Sequence, residues 1–188
     1  MSDRPGAQRR WRGRAAARGA LVAVAVLAGC GEESKPLPAA PDTIQLATPD
    51  FKDGGPIPRA LTCDGAGTAP TIIWRDVQGA AELVLFVDDP DAGFTHWTAY
   101  GISAAGASGL APHGQFPTGT KYGKNSAGKT GWTPPCPPEG DDPHHYVFTL
   151  YALKEASALP DGAEPDEVRA KLAGAVARGT FTGTYARG

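Results

Sequence analysis

Between Phe86 and Trp97 the chain reads FVDDPDAGFTHW, which gathers Asp88, Asp89, Asp91 and His96 within twelve positions. A second polar cluster, His144, His145 and Tyr146, begins 48 positions after His96. These two stretches hold three of the four histidines in the chain, an uneven distribution that points to a shared site. Carboxylates and imidazoles in such company can coordinate a metal, exchange protons in acid–base catalysis, or wall an anion pocket. They can also do less, because aspartates flanking Pro90 suit a polar turn that carries no chemistry.

Spacing separates these possibilities. A zinc site calls for a ligand pattern such as HExxH, and the chain has none. His144 and His145 are adjacent, and neighbours on a strand face opposite ways, so they do not easily serve one ion. An acid–base or metal-dependent hydrolase is the alternative reading of the same groups, with a His–Asp couple activating the hydroxyl of Ser126 or Thr95. No G-x-S-x-G elbow is present, and Cys136, set between prolines, suits a disulfide better than a nucleophile. An anion pocket uses the inventory more simply. Imidazole N–H groups, a tyrosine hydroxyl and the free backbone N–H groups of a Gly/Pro loop all donate to phosphate or carboxylate. A nearby aspartate then holds a histidine in its donor tautomer, or faces the cationic end of a zwitterion. This reading calls for no enzyme activity, no metal and no cofactor.

The elements that must position these groups are short strands. Apolar segments broken by Gly, Pro and Asp turns predict a β-rich domain, with strands at Ile44–Ala47, Thr71–Trp74, Leu83–Val87, Trp97–Ile102 and Tyr146–Leu153. HYVFTLYAL (145–153) is β-branched, aromatic or aliphatic on both faces, which predicts a central strand buried on both sides. Both polar clusters stand at strand boundaries, so pairing of those strands would bring Asp and His to one sheet edge. A single helix is predicted from Pro165, with a Val168, Leu172, Ala175, Val176 stripe and a stop at Arg178–Gly179. Two long loops are predicted, Ser103–Gly131 and Trp132–His145; the second carries five of the 18 prolines and so holds its shape without being a strand.

The N-terminus reads as an address. Six arginines between Arg4 and Arg18 precede nine apolar residues, Ala20–Ala28, a run shorter than the roughly 20 residues of a membrane-spanning helix. That is the pattern of an export signal, and Leu27-Ala28-Gly29-Cys30 resembles a bacterial lipobox, with Cys30 as the lipidated residue. The expected organisation is a signal peptide over 1–29, a Pro/Ala-rich tether over 30–42 and one domain over 43–188. The expected location is the cell envelope, on the extracytoplasmic side, anchored to the membrane by lipid on Cys30. Loss of residues 1–29 removes six arginines and one aspartate, leaving 12 basic and 19 acidic residues and a formal charge near −7. Such a chain offers no electrostatic footprint for nucleic acid. With Cys30 lipidated, Cys63 and Cys136 remain as an even pair in an oxidising compartment, which favours a bridge between them.

Taken together, FKDGGPIPRALTCDG (51–65), LVLFVDDPDAG (83–93), His96-Trp97, GKNSAGKTGW (123–132), PCPPEG (135–140) and HHYVFTLYAL (144–153) resemble the phosphatidylethanolamine-binding protein (PEBP) family. The resemblance is to its bacterial branch of Raf-kinase-inhibitor-like proteins. It implies a mainly β fold, with a large central antiparallel sheet, a smaller sheet packed on it and few peripheral helices. It also implies one pocket for a phosphate-like anion or phospholipid head group, lined by Asp89, Phe94, His96, Cys136, Pro137, His144 and Tyr146. A disulfide between Cys63 and Cys136 agrees with cysteines that recur in that branch. An inhibitory action on a protein target is a further implied role, although a kinase target sits poorly with export. On this reading Asp88 supports structure, Asp89 serves the pocket and Asp91 holds the loop. Two positions depart from the family pattern: Gly93 replaces the proline that closes D-P-D-A-P, and His145 replaces the arginine of H-R-Y.

Overall fold

A computed structural model describes residue 1 and residues 36–106 and 108–188. Residues 2–35, which hold Cys30 and all but the first residue of the segment expected as a signal peptide, therefore lie outside the described residues. Among the described residues nine strands and one α-helix follow in chain order: β1 (Gln45–Ala47), β2 (Gly55–Pro56), β3 (Ile72–Arg75), β4 (Glu82–Asp89), β5 (Phe94–Ser103), β6 (Gly109–Ala111), β7 (Lys121–Tyr122), β8 (His144–Leu153), α1 (Pro165–Lys171) and β9 (Ala175–Tyr185). Six of the strands form one sheet in the order β2-β9-β8-β4-β5-β7, and β1-β3-β6 form a smaller one. All pairings are antiparallel except β2 with β9. The fold is mainly β, as the sequence predicted.

The centre of the large sheet is β4 and β8, and every residue of β4 is buried. Alternation assigns their side chains to two cores. Leu83, Leu85, Val87, Phe148 and Leu150 join a core that includes Ile72 and Trp74 of the small sheet. Val84, Phe86 and Tyr151 pack on the other face with Val168 and Leu172. Strands covered on both faces read as continuous apolar runs, which is why these two were legible in the sequence. Burial of this kind contributes about 1.5–3 kcal/mol for each large side chain.

The predicted helix is corrected. It runs only from Pro165 to Lys171, started by a reciprocal Glu164–Glu167 capping box, and a 3-10 turn over Leu172–Gly174 ends it. Val168 and Leu172 are buried as the stripe required, but Ala175 and Val176 begin β9, and Val176 is 41% exposed. β9 pairs with the full length of β8, from His144 opposite Tyr185 to Leu153 opposite Ala175. Ladder bonds to an available central strand outweigh a weak helical period. Gly179, read as a stop, is instead a close approach: a Cβ there would stand 2.2 Å from the Ile44 carbonyl oxygen. The loop predicted over Ser103–Gly131 is also corrected, since it contributes the edge strands β6 and β7.

The C-terminal part of the segment expected as a tether lies on the domain. Leu37 and Ala40 pack against the second core, the Tyr151 hydroxyl donates to the Pro38 carbonyl (2.9 Å), and Asp42 pairs with Arg178 (2.8 Å).

Candidate functional site

The pairing of β4 with β8 places Asp88 opposite Val147, so the polar ends of both strands meet at one edge of the sheet. β4 and β5 are joined by a four-residue turn, Pro90–Gly93, with Asp89 opposite Phe94. Gly93 there has φ +61°, which proline cannot adopt, so this departure from the family pattern follows from the turn geometry. The turn is held from inside by the Ala92 N–H, which donates to Asp89 (3.0 Å).

The three aspartates have separate duties. Asp88 points to the helix-covered face, where it accepts from the Thr95 hydroxyl (2.7 Å) and lies 3.6 Å from the Arg169 guanidinium. Burial raises its pKa above the usual carboxylate value, against the pull of those two partners. Asp89 accepts from Nδ1 of His144 (2.7 Å). Asp91 accepts from both the backbone N–H and Nδ1 of His145 (2.7 and 2.9 Å), on the exposed rim. Alternation along β8 thus sends His144 and His145 to different partners, as the adjacency argument required. The imidazole at 145 already has a carboxylate partner where the family pattern has arginine.

His96 owes its position to an irregularity. Val87 pairs with Trp97 and Asp88 with Thr95, so His96 is the extra residue of a β-bulge on β5. A bulge breaks alternation, and here it lets His96 and Trp97 turn to the same face, where both rings approach Trp132 (6.4 and 5.6 Å between centroids). Thr95 faces the other way. His96 and Thr133 are joined twice, by Thr133 N–H to the His96 carbonyl (3.1 Å) and by Nδ1 of His96 to the Thr133 carbonyl (2.8 Å). Thr133 is in turn fixed by Asn125, whose buried amide donates to its hydroxyl (2.6 Å).

These elements enclose a cleft of about 180 Å³, in which all seven predicted lining residues meet: Asp89, Phe94, His96, Cys136, Pro137, His144 and Tyr146. Ala92, Thr133, Pro134 and Pro138 complete it and were not singled out from the sequence. Their signal was the loop itself, with its prolines. Phe94 and Tyr146 flank the His96 ring at 4.7 and 5.1 Å between centroids. The hydroxyl of Tyr146 is sealed from bulk solvent, with the Asp89 carboxylate close by. Burial, and then the nearby Asp89 carboxylate, push its pKa far above that of a free phenol, so it stays a donor. The Cys63–Cys136 bridge is formed, with Cα atoms 5.3 Å apart, and puts Cys136 in the cleft wall. Among the described residues no three His, Cys, Asp or Glu side chains gather in a geometry that could hold a metal ion.

Burial depresses the pKa of His96 below the usual imidazole value of 6.5, outweighing the Thr133 carbonyl and the Asp89 carboxylate. The consequence for stability has a definite sign. Above pH 6.5 the ring is neutral in both folded and unfolded chains. Below it, the unfolded chain binds a proton that the folded ring resists, so this ring makes stability fall as pH drops, until the folded ring is protonated too. The slope for one proton is at most about 1.4 kcal/mol per pH unit. Denaturant unfolding between pH 7.5 and 5 will show a steeper loss in the wild type than in His96→Gln. Parallel curves would mean that the ring is not held neutral by the fold.

The comparisons agree with this architecture. The family model described as "Phosphatidylethanolamine-binding protein" matches residues 47–186. The chain is 40% identical to "Putative lipoprotein LppC" of Mycobacterium tuberculosis, over 87% of this chain and 93% of the relative. It is 38% identical to a UPF0098 protein of Aquifex aeolicus, over 77% of this chain and 89% of that one. Among solved structures, the PEBP homolog CT736 of Chlamydia trachomatis superposes with a TM-score of 0.70 at 31% identity, covering 78% of this chain and 99% of that chain. E. coli YbcL, described as a new member of the mammalian PEBP family, gives a TM-score of 0.70 at 30% identity, covering 77% of this chain and 98% of that one. With the ordered motifs, the two-sheet architecture and these matches in agreement, the chain belongs to the phosphatidylethanolamine-binding protein family.

Proposed function

We propose that this protein is an exported, lipid-anchored binding protein whose cleft takes phosphate-type anions or phospholipid head groups. Its occupied cleft modulates another protein, and it catalyses no reaction. The observation that carries this reading is the meeting of His96, His144 and Tyr146 in one small cleft walled by Phe94 and prolines. The two hydroxyls that a hydrolase would have recruited are engaged elsewhere. That of Thr95 donates to Asp88 on the opposite face, and that of Ser126 accepts from the Thr95 N–H (2.8 Å). Addition of millimolar phosphate or phosphoethanolamine is expected to shift the imidazole NMR signals of His96 and His144 while leaving His113 still. Unmoved signals at His96 and His144 would remove the reading.

The anchor rests on Leu27-Ala28-Gly29-Cys30 and on the relative named as a lipoprotein. Metabolic labelling with palmitate is expected to mark the wild-type chain and not Cys30→Ala. Label retained in the variant would refute lipidation at that cysteine.

A further inference from the structure

Both cleft histidines spend the same ring nitrogen on the protein. Nδ1 of His96 faces the Thr133 carbonyl at 2.8 Å, and Nδ1 of His144 faces the Asp89 carboxylate at 2.7 Å. Carbonyls and carboxylates only accept, so each Nδ1 carries a proton, and the His96 ring, which burial keeps neutral, is left with a lone pair on Nε2. Among the described residues no donor meets the Nε2 of His96, and the Nε2 of His144 is 4.0 Å from the Asp141 carboxylate, beyond hydrogen-bond reach. Because His96 lines the cleft, this lone pair is what a ligand meets. An anion without a proton would oppose it with further lone pairs. The titratable groups around His96 are Asp89 from β4 and His144 from β8, with the Tyr146 hydroxyl beside them, and the Asp89 carboxylate disfavours a second ligand charge.

We propose that the cleft takes its anion together with a proton shared between a ligand oxygen and Nε2 of His96, and therefore selects phosphate and phosphate monoesters over sulfate and phosphodiesters. This deepens the anion-binding reading and rests on it. Within that reading it favours a soluble phosphorylated compound over an intact diester phospholipid. The proton balance is explicit. A ligand arriving as the monoprotonated ion brings the proton, and one arriving as a fully ionised monoester draws it from solution. Burial of His96, which favours its neutral form, leaves the ligand as the partner that gains most from carrying the proton.

Calorimetry on the full-length chain in detergent at pH 7.5 tests this with four probes: inorganic phosphate, sulfate, methyl phosphate and dimethyl phosphate. Phosphate and methyl phosphate are expected to bind at least about tenfold more tightly than sulfate and dimethyl phosphate, as for a site whose buried acceptor must be met by a donor. Methyl phosphate, with a second pKa near 6, is expected to take up about one proton on binding, read from heats in two buffers of unlike ionisation enthalpy. Equal affinity for phosphate and sulfate, or selectivity without proton uptake, overturns the proposal and leaves the anion site standing. Failure of all four probes to bind overturns both. His96→Gln, which puts an amide N–H where the lone pair was, is expected to narrow the phosphate-to-sulfate ratio to about threefold or less. An unchanged ratio overturns the assignment to His96.

Discussion

Replacing Cys63 and Cys136 together by serine is expected to lower the unfolding free energy by about 4 kcal/mol, the loop-closure entropy released when a bridge spanning 73 positions is cut. Both cysteines are exposed, so serine meets water and little desolvation cost is added. The folded cleft is expected to survive, because the same two loops are tied a second time. Asp64 accepts from the Tyr185 hydroxyl (2.6 Å) and from Nε of Arg187 (3.2 Å), and Nη2 of Arg187 donates to Glu139 (3.0 Å). The loss therefore falls mainly on the unfolded chain. Denaturant melts of the double variant, with the His96 NMR signal followed in parallel, check both parts. A loss under about 1 kcal/mol would mean that the unfolded chain keeps these loops together without the bridge.

The aspartates of FVDDPDAGFTHW are expected to part sharply when each is cut to alanine. Asp89 is almost wholly buried and accepts from the Ala92 N–H and from Nδ1 of His144, bonds to a charged group that are each worth about 1.5–3 kcal/mol. Asp89→Ala removes both, loosens the turn and releases the ring that faces the ligand. A stability loss of about 3 kcal/mol and a roughly 10- to 100-fold fall in phosphate affinity are expected, the latter as for other groups that orient a ligand-binding histidine. Asp91 pairs with His145 on the rim, where side-chain exposures of 43% and 55% leave the pair open to water. Such pairs contribute about 0–1 kcal/mol, and Asp91→Ala is expected to leave phosphate affinity within about twofold. Unfolding curves and calorimetry on both variants check this. Equal effects from the two would mean that both aspartates serve only the turn around Pro90.

Much of the molecule was legible because its physics is local. β4 and β8 are apolar on both faces, and a residue pattern of that kind has few other homes than the middle of a covered sheet. Pro165 and the acidic first turn announced α1. β9 was missed because Val168, Leu172, Ala175 and Val176 satisfy a helical period, while the partner that makes 175–185 a strand lies 22 to 41 positions earlier in β8. The edge strands β6 and β7 were hidden in a Gly- and Ala-rich stretch with little propensity of its own.

By itself the sequence determined the chemistry available, a cysteine pair and strand ends rich in Asp and His, while the full set of seven cleft residues came from the family resemblance of its motifs. Whether Asp89 and His144 would meet depended on register, and only the antiparallel pairing of β4 with β8 decided it. The bulge at His96 was equally out of reach. Strict alternation sends His96 and Trp97 to opposite faces, and a single extra residue in the ladder with Val87 and Asp88 brings both to one side. Residue types are inherited from the chain, but side-chain direction belongs to pairing between distant strands. That is why the groups of this site were visible in advance and the directions in which they point were not.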